Sequence, residues 1–78
     1  MTEVKANITG VVFRIPVSAG DRVHAGDPII ILESMKMEIP VEAPQSGVVR
    51  ELCVQQGATV REGDVIARLD EAGTRSQD

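Results

Sequence analysis

The stretch GVVFRIPVSAGDRVHAGDPIIILE, residues 10–33, returns 37 positions later as GVVRELCVQQGATVREGDVIARLD, residues 47–70. Set side by side without a gap, the two copies agree at ten of 24 positions. The matches are Gly10-Val11-Val12 with Gly47-Val48-Val49, Val17 with Val54, Gly20 with Gly57, Val23 with Val60, Gly26-Asp27 with Gly63-Asp64, Ile29 with Ile66 and Leu32 with Leu69. Ile15 against Leu52 and Glu33 against Asp70 are conservative pairs. Self-similarity at a fixed offset marks one structural unit used twice, and such a unit does not bury its apolar face alone.

Each copy reads as strand, tight turn, short strand, tight turn, strand. The first strands cover residues 10–17 and 47–54, where apolar and polar residues alternate as on a half-buried ladder. Gly20-Asp21 and Gly26-Asp27 punctuate the first copy; Gly57-Ala58 and Gly63-Asp64 punctuate the second. Tight turns of this kind need a positive φ, which glycine supplies without a β-carbon penalty. The last strands follow at residues 28–33 and 65–70, Pro28 being tolerable at a strand start. No stretch of roughly 10 to 12 residues has helical apolar spacing, so the chain is all-β. The two copies are expected to wrap around one shared core with approximate two-fold symmetry. Extending the offset sets Val41-Glu42-Ala43 on Val4-Lys5-Ala6, so the strand after Lys36 matches the N-terminal strand. The Lys36 hairpin then lies where the other copy has the chain ends, and tip and termini are expected at opposite ends of the domain. Residues 1–70 form that domain, and residues 71–78, all small or polar, read as a frayed tail.

A chain of 78 residues makes one small domain. It buries only about 60% of the surface its unfolded form exposes, too little for a large enclosed active site. Phe13 is its single aromatic, so Val, Ile, Leu and Ala must fill the core. With a net charge of −4 and a pI near 4.8, it offers no basic surface for phosphates and no aromatic row for bases, which excludes nucleic-acid binding. No apolar stretch approaches the roughly 20 residues that span a bilayer, and no leader-like segment opens the chain, so a cytoplasmic location is expected. Cys53 has no intramolecular partner and reads as a reduced strand residue, while His24 reads as a solvated turn residue. One His and one Cys supply neither a metal-ligand pattern nor a catalytic constellation.

Positive charge is written almost entirely as arginine: only Lys5 and Lys36 are lysines, against six arginines. Lys36 stands between Met35 and Met37, which with the initiator are the only methionines. Strands at residues 29–33 and 37–42 leave Ser34-Met35-Lys36 as the connection, a length suited to a tight hairpin. Met35 and Lys36 lack the Asn-Gly chemistry that favours such a turn, and local rules of this kind break where function requires it. An exposed lysine in a turn is ordinary by itself. An amine at a tip, however, can form a stable amide with a carboxylic acid on a flexible stem, which an arginine cannot. The flanking methionines are adaptable, polarisable surfaces for an enzyme or a cofactor ring.

Glu33-Ser34-Met35-Lys36-Met37-Glu38-Ile39-Pro40 is similar to the biotin-attachment motif, commonly Ala-Met-Lys-Met, and Ala43-Pro44 with Gly47 and the Gly-Asp turns match as well. Over about residues 3–70 the chain resembles the biotinyl/lipoyl attachment domain family. The resemblance implies a flattened barrel-sandwich of two four-stranded antiparallel sheets, with the modified lysine on an exposed hairpin turn. It also implies a non-catalytic swinging-arm carrier with biotin joined to Lys36, and with Glu33, Ser34, Met35 and Met37 forming the recognition site. A biotin protein ligase would attach the group, a biotin carboxylase would load it, and a carboxyltransferase of an acetyl-CoA carboxylase or related carboxylase would unload it. Lipoate is the alternative, in a carrier of the 2-oxo acid dehydrogenase type, and attachment of either group is a third reading. Met35 and Met37 favour biotin, since lipoyl domains more often carry Asp before the lysine and a small residue after it. Ser34 departs from the usual alanine. The gapless match of residues 17–23 to residues 54–60 leaves no room for the inserted thumb of some bacterial carriers. No proline- or alanine-rich linker precedes Val4, as in a free-standing carrier or an excised domain.

Overall fold

The computed structural model describes residues 1–71. Eight strands follow in chain order: β1 (Thr2–Lys5), β2 (Gly10–Arg14), β3 (Arg22–Val23), β4 (Pro28–Ser34), β5 (Met37–Glu42), β6 (Gly47–Leu52), β7 (Thr59–Val60) and β8 (Val65–Glu71). They form two four-stranded antiparallel sheets, ordered β1-β8-β6-β3 and β5-β4-β2-β7. The expected all-β sandwich is therefore what the chain adopts. Each sheet takes two strands from the first half of the chain and two from the second, so neither copy of the repeat closes a sheet of its own.

The two-fold relation holds pair by pair. Leu32 opposite Ile39 has its mate in Leu69 opposite Thr2, and Val11 opposite Glu33 has its mate in Val48 opposite Asp70. Even the irregularities repeat, with one ladder shifting between Val12 and Arg14 and the other between Val49 and Glu51. The ends of β1 and β8 thus take in one sheet the place that the Lys36 turn takes in the other.

All four Gly-x turns use the expected conformation, with φ of 96°, 92°, 92° and 93° at Gly20, Gly26, Gly57 and Gly63. In three of them an aspartate closes the loop a second time: Oδ2 of Asp21, Asp27 and Asp64 accepts the N–H of Ser18, His24 and Arg61 at 2.8, 2.8 and 2.9 Å. Ala58, in the fourth, has no carboxylate to do so. Beyond the turns, Gly20 and Gly57 donate to the carbonyls of Val49 and Val12, which ties each turn to the first strand of the opposite copy.

Strand ends differ from the expected ones. β2 stops at Arg14 and β6 at Leu52, two to three residues short. After the ladder shift Cys53 N–H still donates to Ile66 O, whereas Pro16, its mate, has no N–H to give. Cys53 consequently lies past the end of β6 and is exposed, where a strand position was expected. At the C-terminal end, Glu71 belongs to β8 and pairs with Gly47, one residue into the segment expected as a tail. The rest of that segment, residues 72–78, lies outside the described residues.

The core is aliphatic throughout. Ile29, Ile30, Leu32, Ile66, Leu69, Val12 and Val49 are its largest fully buried side chains, and among the described residues no polar one is buried with them. Gly10 and Gly47, invariant between the copies, act by close approach. A β-carbon on Gly10 would sit 2.6 Å from Glu33 O, and one on Gly47 would collide with Asp70 O. Gly10→Ala and Gly47→Ala should each lower stability by about 1–3 kcal/mol through overpacking against rigid backbone. Urea unfolding of the two variants checks this, with losses of similar size expected from symmetric sites.

Candidate functional site

β4 and β5 form the most extended hairpin of the molecule, paired in register from Ile30 opposite Val41 to Ser34 opposite Met37. Ser34 is the last residue of β4, where it was expected in the connection. The connection is consequently Met35-Lys36 alone. Both residues have positive φ, 52° at Met35 and 66° at Lys36. A two-residue hairpin loop with two left-handed residues is the geometry whose twist suits the flanking strands, and it normally selects Asn-Gly. Neither a methionine nor a lysine favours that region, at a cost of about 1–3 kcal/mol per residue. The long hairpin ladder and the buried Leu32 below it force the conformation, and Gly10 lets β2 pack directly against the Glu33 carbonyl at its base.

The turn carries its side chains clear of the sheet. Met35 is 91% exposed and Met37 63%, and Lys36 is exposed between them. Lys36 makes no hydrogen bond or ion pair among the described residues, so its amine is available. One row below the tip, Glu33 and Glu38 stand directly opposite each other, an unfavourable like-charge cross-strand pair with no ion-pair partner among the described residues. Glu33, Ser34, Met35, Lys36 and Met37, singled out in the sequence, are thus brought together at one hairpin end. Gly10 was not among them. Its invariance with Gly47 was the available signal, but a glycine that serves close approach cannot be told from a turn glycine by sequence alone.

Other reactive side chains lie elsewhere and apart. Cys53 accepts a hydrogen bond from Arg68 Nη1 at 3.2 Å on the outer face of the other sheet. His24, in its turn, has Nδ1 3.8 Å from Asp27 Oδ2 and stays solvated. Among the described residues no group of three or more His, Cys, Asp or Glu side chains could hold a metal ion. No helix among them is long and apolar enough to cross a membrane.

The chain that sets this exposed, unpartnered amine on a strained hairpin matches a known family over most of its length. The family model described as "Biotin-requiring enzyme" covers residues 1–69. The chain belongs to the biotin/lipoyl attachment domain family. It is 44% identical over 66 residues to the "Biotin/lipoyl attachment protein" of Bacillus subtilis, spanning 85% of this chain and 90% of that protein. The "Biotinylated protein TB7.3 homolog" of Mycobacterium leprae is 45% identical over 65 residues, 83% of this chain and 92% of the relative. Among solved structures, the urea carboxylase of Kluyveromyces lactis superposes with a TM-score of 0.85 at 35% identity, over 88% of this chain and 6% of that enzyme. The fold and family thus fix a biotin/lipoyl carrier domain, a class that is typically non-catalytic.

The cost of the turn is measurable. Met35→Asn with Lys36→Gly should raise the free energy of unfolding by about 1–3 kcal/mol, because both residues then suit a left-handed loop. Urea denaturation of the unmodified proteins reads this directly, and unchanged stability would mean that the wild-type turn is unstrained.

Proposed function

We propose that the protein is a biotin carboxyl carrier, with biotin joined through an amide to Nζ of Lys36 and carried between the active sites of a biotin-dependent carboxylase. The carrying observation is the exposed Met35-Lys36 turn, in which the amine is unpartnered among the described residues and projects from the end of the longest hairpin, beside Met37 at the start of β5. A biotin protein ligase activates the carboxyl of biotin with ATP as an acyl adenylate, releasing pyrophosphate. The neutral Lys36 amine then attacks the carboxyl carbon, the C–O bond to AMP breaks as the Nζ–C bond forms, and the nitrogen gives up a proton to solvent. Bound biotin supplies a ring that takes up and releases a carboxyl group.

The chain's own residues do the rest. The β4–β5 ladder fixes where the arm begins, so the turn presents Nζ in one place relative to the domain. Met35 and Met37 give the ligase and later the ring soft apolar contacts that adapt without fixing one geometry. Tethering replaces a bimolecular encounter with a high local concentration of the reactive ring at each active site. The carboxylase component and carboxyltransferase are the partners this implies. Relatives with carboxylase names support it: the chain is 35% identical over 71 residues to a "Pyruvate carboxylase" of Staphylococcus aureus, of which it spans 6%. The lipoyl reading is the weaker one, because Met35 and Met37 replace the acidic and small neighbours expected of it.

Co-expression with a biotin protein ligase and excess biotin, followed by intact mass measurement, should show a single biotinyl increment on the wild type and none on Lys36→Arg, with Lys5 unmodified in both. A lipoyl increment on the wild type in the native host, or a free Lys36 amine with ligase in excess, would overturn the assignment. Met35→Asp should shift acceptance toward a lipoyl ligase.

A further inference from the structure

The repeat supplies an internal control for the outer faces of the two sheets. On the β1-β8-β6-β3 sheet the face is laced with ion pairs: Arg68 lies 3.9 Å from Glu3 and 3.4 Å from Glu51, and Arg50 lies 3.3 Å from Asp70. The two-fold mates of Arg68, Glu3 and Arg50 on the Lys36 sheet are Ile31, Pro40 and Phe13. Ile31, 8% exposed, lies outside the core cluster that holds Ile29, Ile30 and Leu32. Phe13, the only aromatic, is 41% exposed, and Val11 beside it is 39% exposed. At these three pairs of equivalent positions one sheet thus carries charge and the other apolar side chains. Toward the hairpin end that surface meets the Glu33–Glu38 pair, while Met37, opposite Ser34, falls on the side of β5 that carries Ile39 and Val41.

Its border is acidic. Glu33, Glu38 and Glu42 lie on the same two strands and make no ion pair among the described residues, with Arg14, opposite Ile31, as the counter-charge on that face. A second copy of the chain would bring these carboxylates against themselves, and a phosphate-bearing surface would be repelled. The complement is a protein surface with apolar side chains inside a basic rim.

We infer that the outer face of the β5-β4-β2-β7 sheet, centred on Phe13, is the docking surface for the ligase that acylates Lys36. This rests on the carrier reading above. The ligase is the one partner that meets the hairpin before any group is attached, so it must recognise protein surface alone, and this face is the exposed apolar surface of the sheet that carries the turn. Later partners have the attached group itself to bind.

Steady-state biotinylation of the unmodified full chain by a biotin protein ligase, with the carrier as varied substrate, tests the inference. Phe13→Ser should raise KM for the carrier about tenfold with kcat unchanged, as expected for loss of an aromatic anchor. Phe13→Leu should retain most of the wild-type KM, and Arg50→Ser, the symmetric control, should leave it unchanged. Glu42→Gln should weaken the dependence of KM on ionic strength. Unchanged urea midpoints establish that the variants are folded. If wild-type KM persists in Phe13→Ser, or if Arg50→Ser raises KM equally, the docking surface is wrong while the carrier reading stands. If the wild type itself is not biotinylated, the carrier reading falls and takes the docking surface with it.

Discussion

Interleaving of the two copies is the constraint from which the rest of the structure follows. With sheet orders β1-β8-β6-β3 and β5-β4-β2-β7, each half of the chain supplies the two edge strands of one sheet and the two central strands of the other. The central aliphatic residues of one copy, Val12, Ile29 and Leu32, are buried only when Val49, Ile66 and Leu69 of the other close over them. A half-length chain would have neither the core nor a complete sheet, so the domain folds as one unit. The turn hydrogen bonds tie the copies in the same way: Gly20 donates to Val49, and Gly57 to Val12. Ordering two small units at once is how a chain this short obtains a core without aromatic side chains, disulfide or metal.

That interleaving also gives the hairpin its mechanical role. β4 lies between β5 and β2, and its Leu32 is fully buried, so the base of the hairpin cannot shift without opening the core. The strain at Met35 and Lys36 is confined to two residues because everything below them is held on both sides. In the other sheet the equivalent place is taken by the ends of β1 and β8, which need no connection. The turn could therefore be specialised in one copy without a matching cost in the other.

Much of this was legible in the sequence because the repeat acts as its own alignment. The all-β class, the positive φ of four turn glycines, the shared core and the Lys36 tip all follow from the 37-residue offset and the hydrophobic alternation. The boundaries did not follow. Whether the ladder stops at Arg14 depends on a bulge and on the missing N–H of Pro16, and whether Ser34 pairs depends on Met35 and Lys36 accepting a backbone that their side chains disfavour. Local propensity points away from that turn, and only tertiary packing imposes it. Phe13 was the other residue the sequence could not place. It sits in a run of apolar residues, Val11-Val12-Phe13, and only the pairing of β2 with β4 decides that Val12 faces the core and its neighbours do not.

Inner and outer faces of a duplicated sandwich answer to different demands. Inner positions are constrained equally in both copies, and there the residues agree: Val12 with Val49, Ile29 with Ile66, Leu32 with Leu69. Outer positions are released from packing, so a systematic difference between the copies cannot be assigned to the fold. Ion pairs between exposed side chains stabilise by no more than about 1 kcal/mol each, so the charged face is not there chiefly to hold its sheet together. Solubility favours charge on both faces, yet on the Lys36 sheet charge borders an apolar centre that the β1-β8-β6-β3 side replaces with ion pairs. The apolar residues Phe13, Ile31 and Pro40, whose mates are Arg50, Arg68 and Glu3, lie on the sheet that carries Lys36. Their exclusive presence there ties the chemistry of that face to the task of the hairpin.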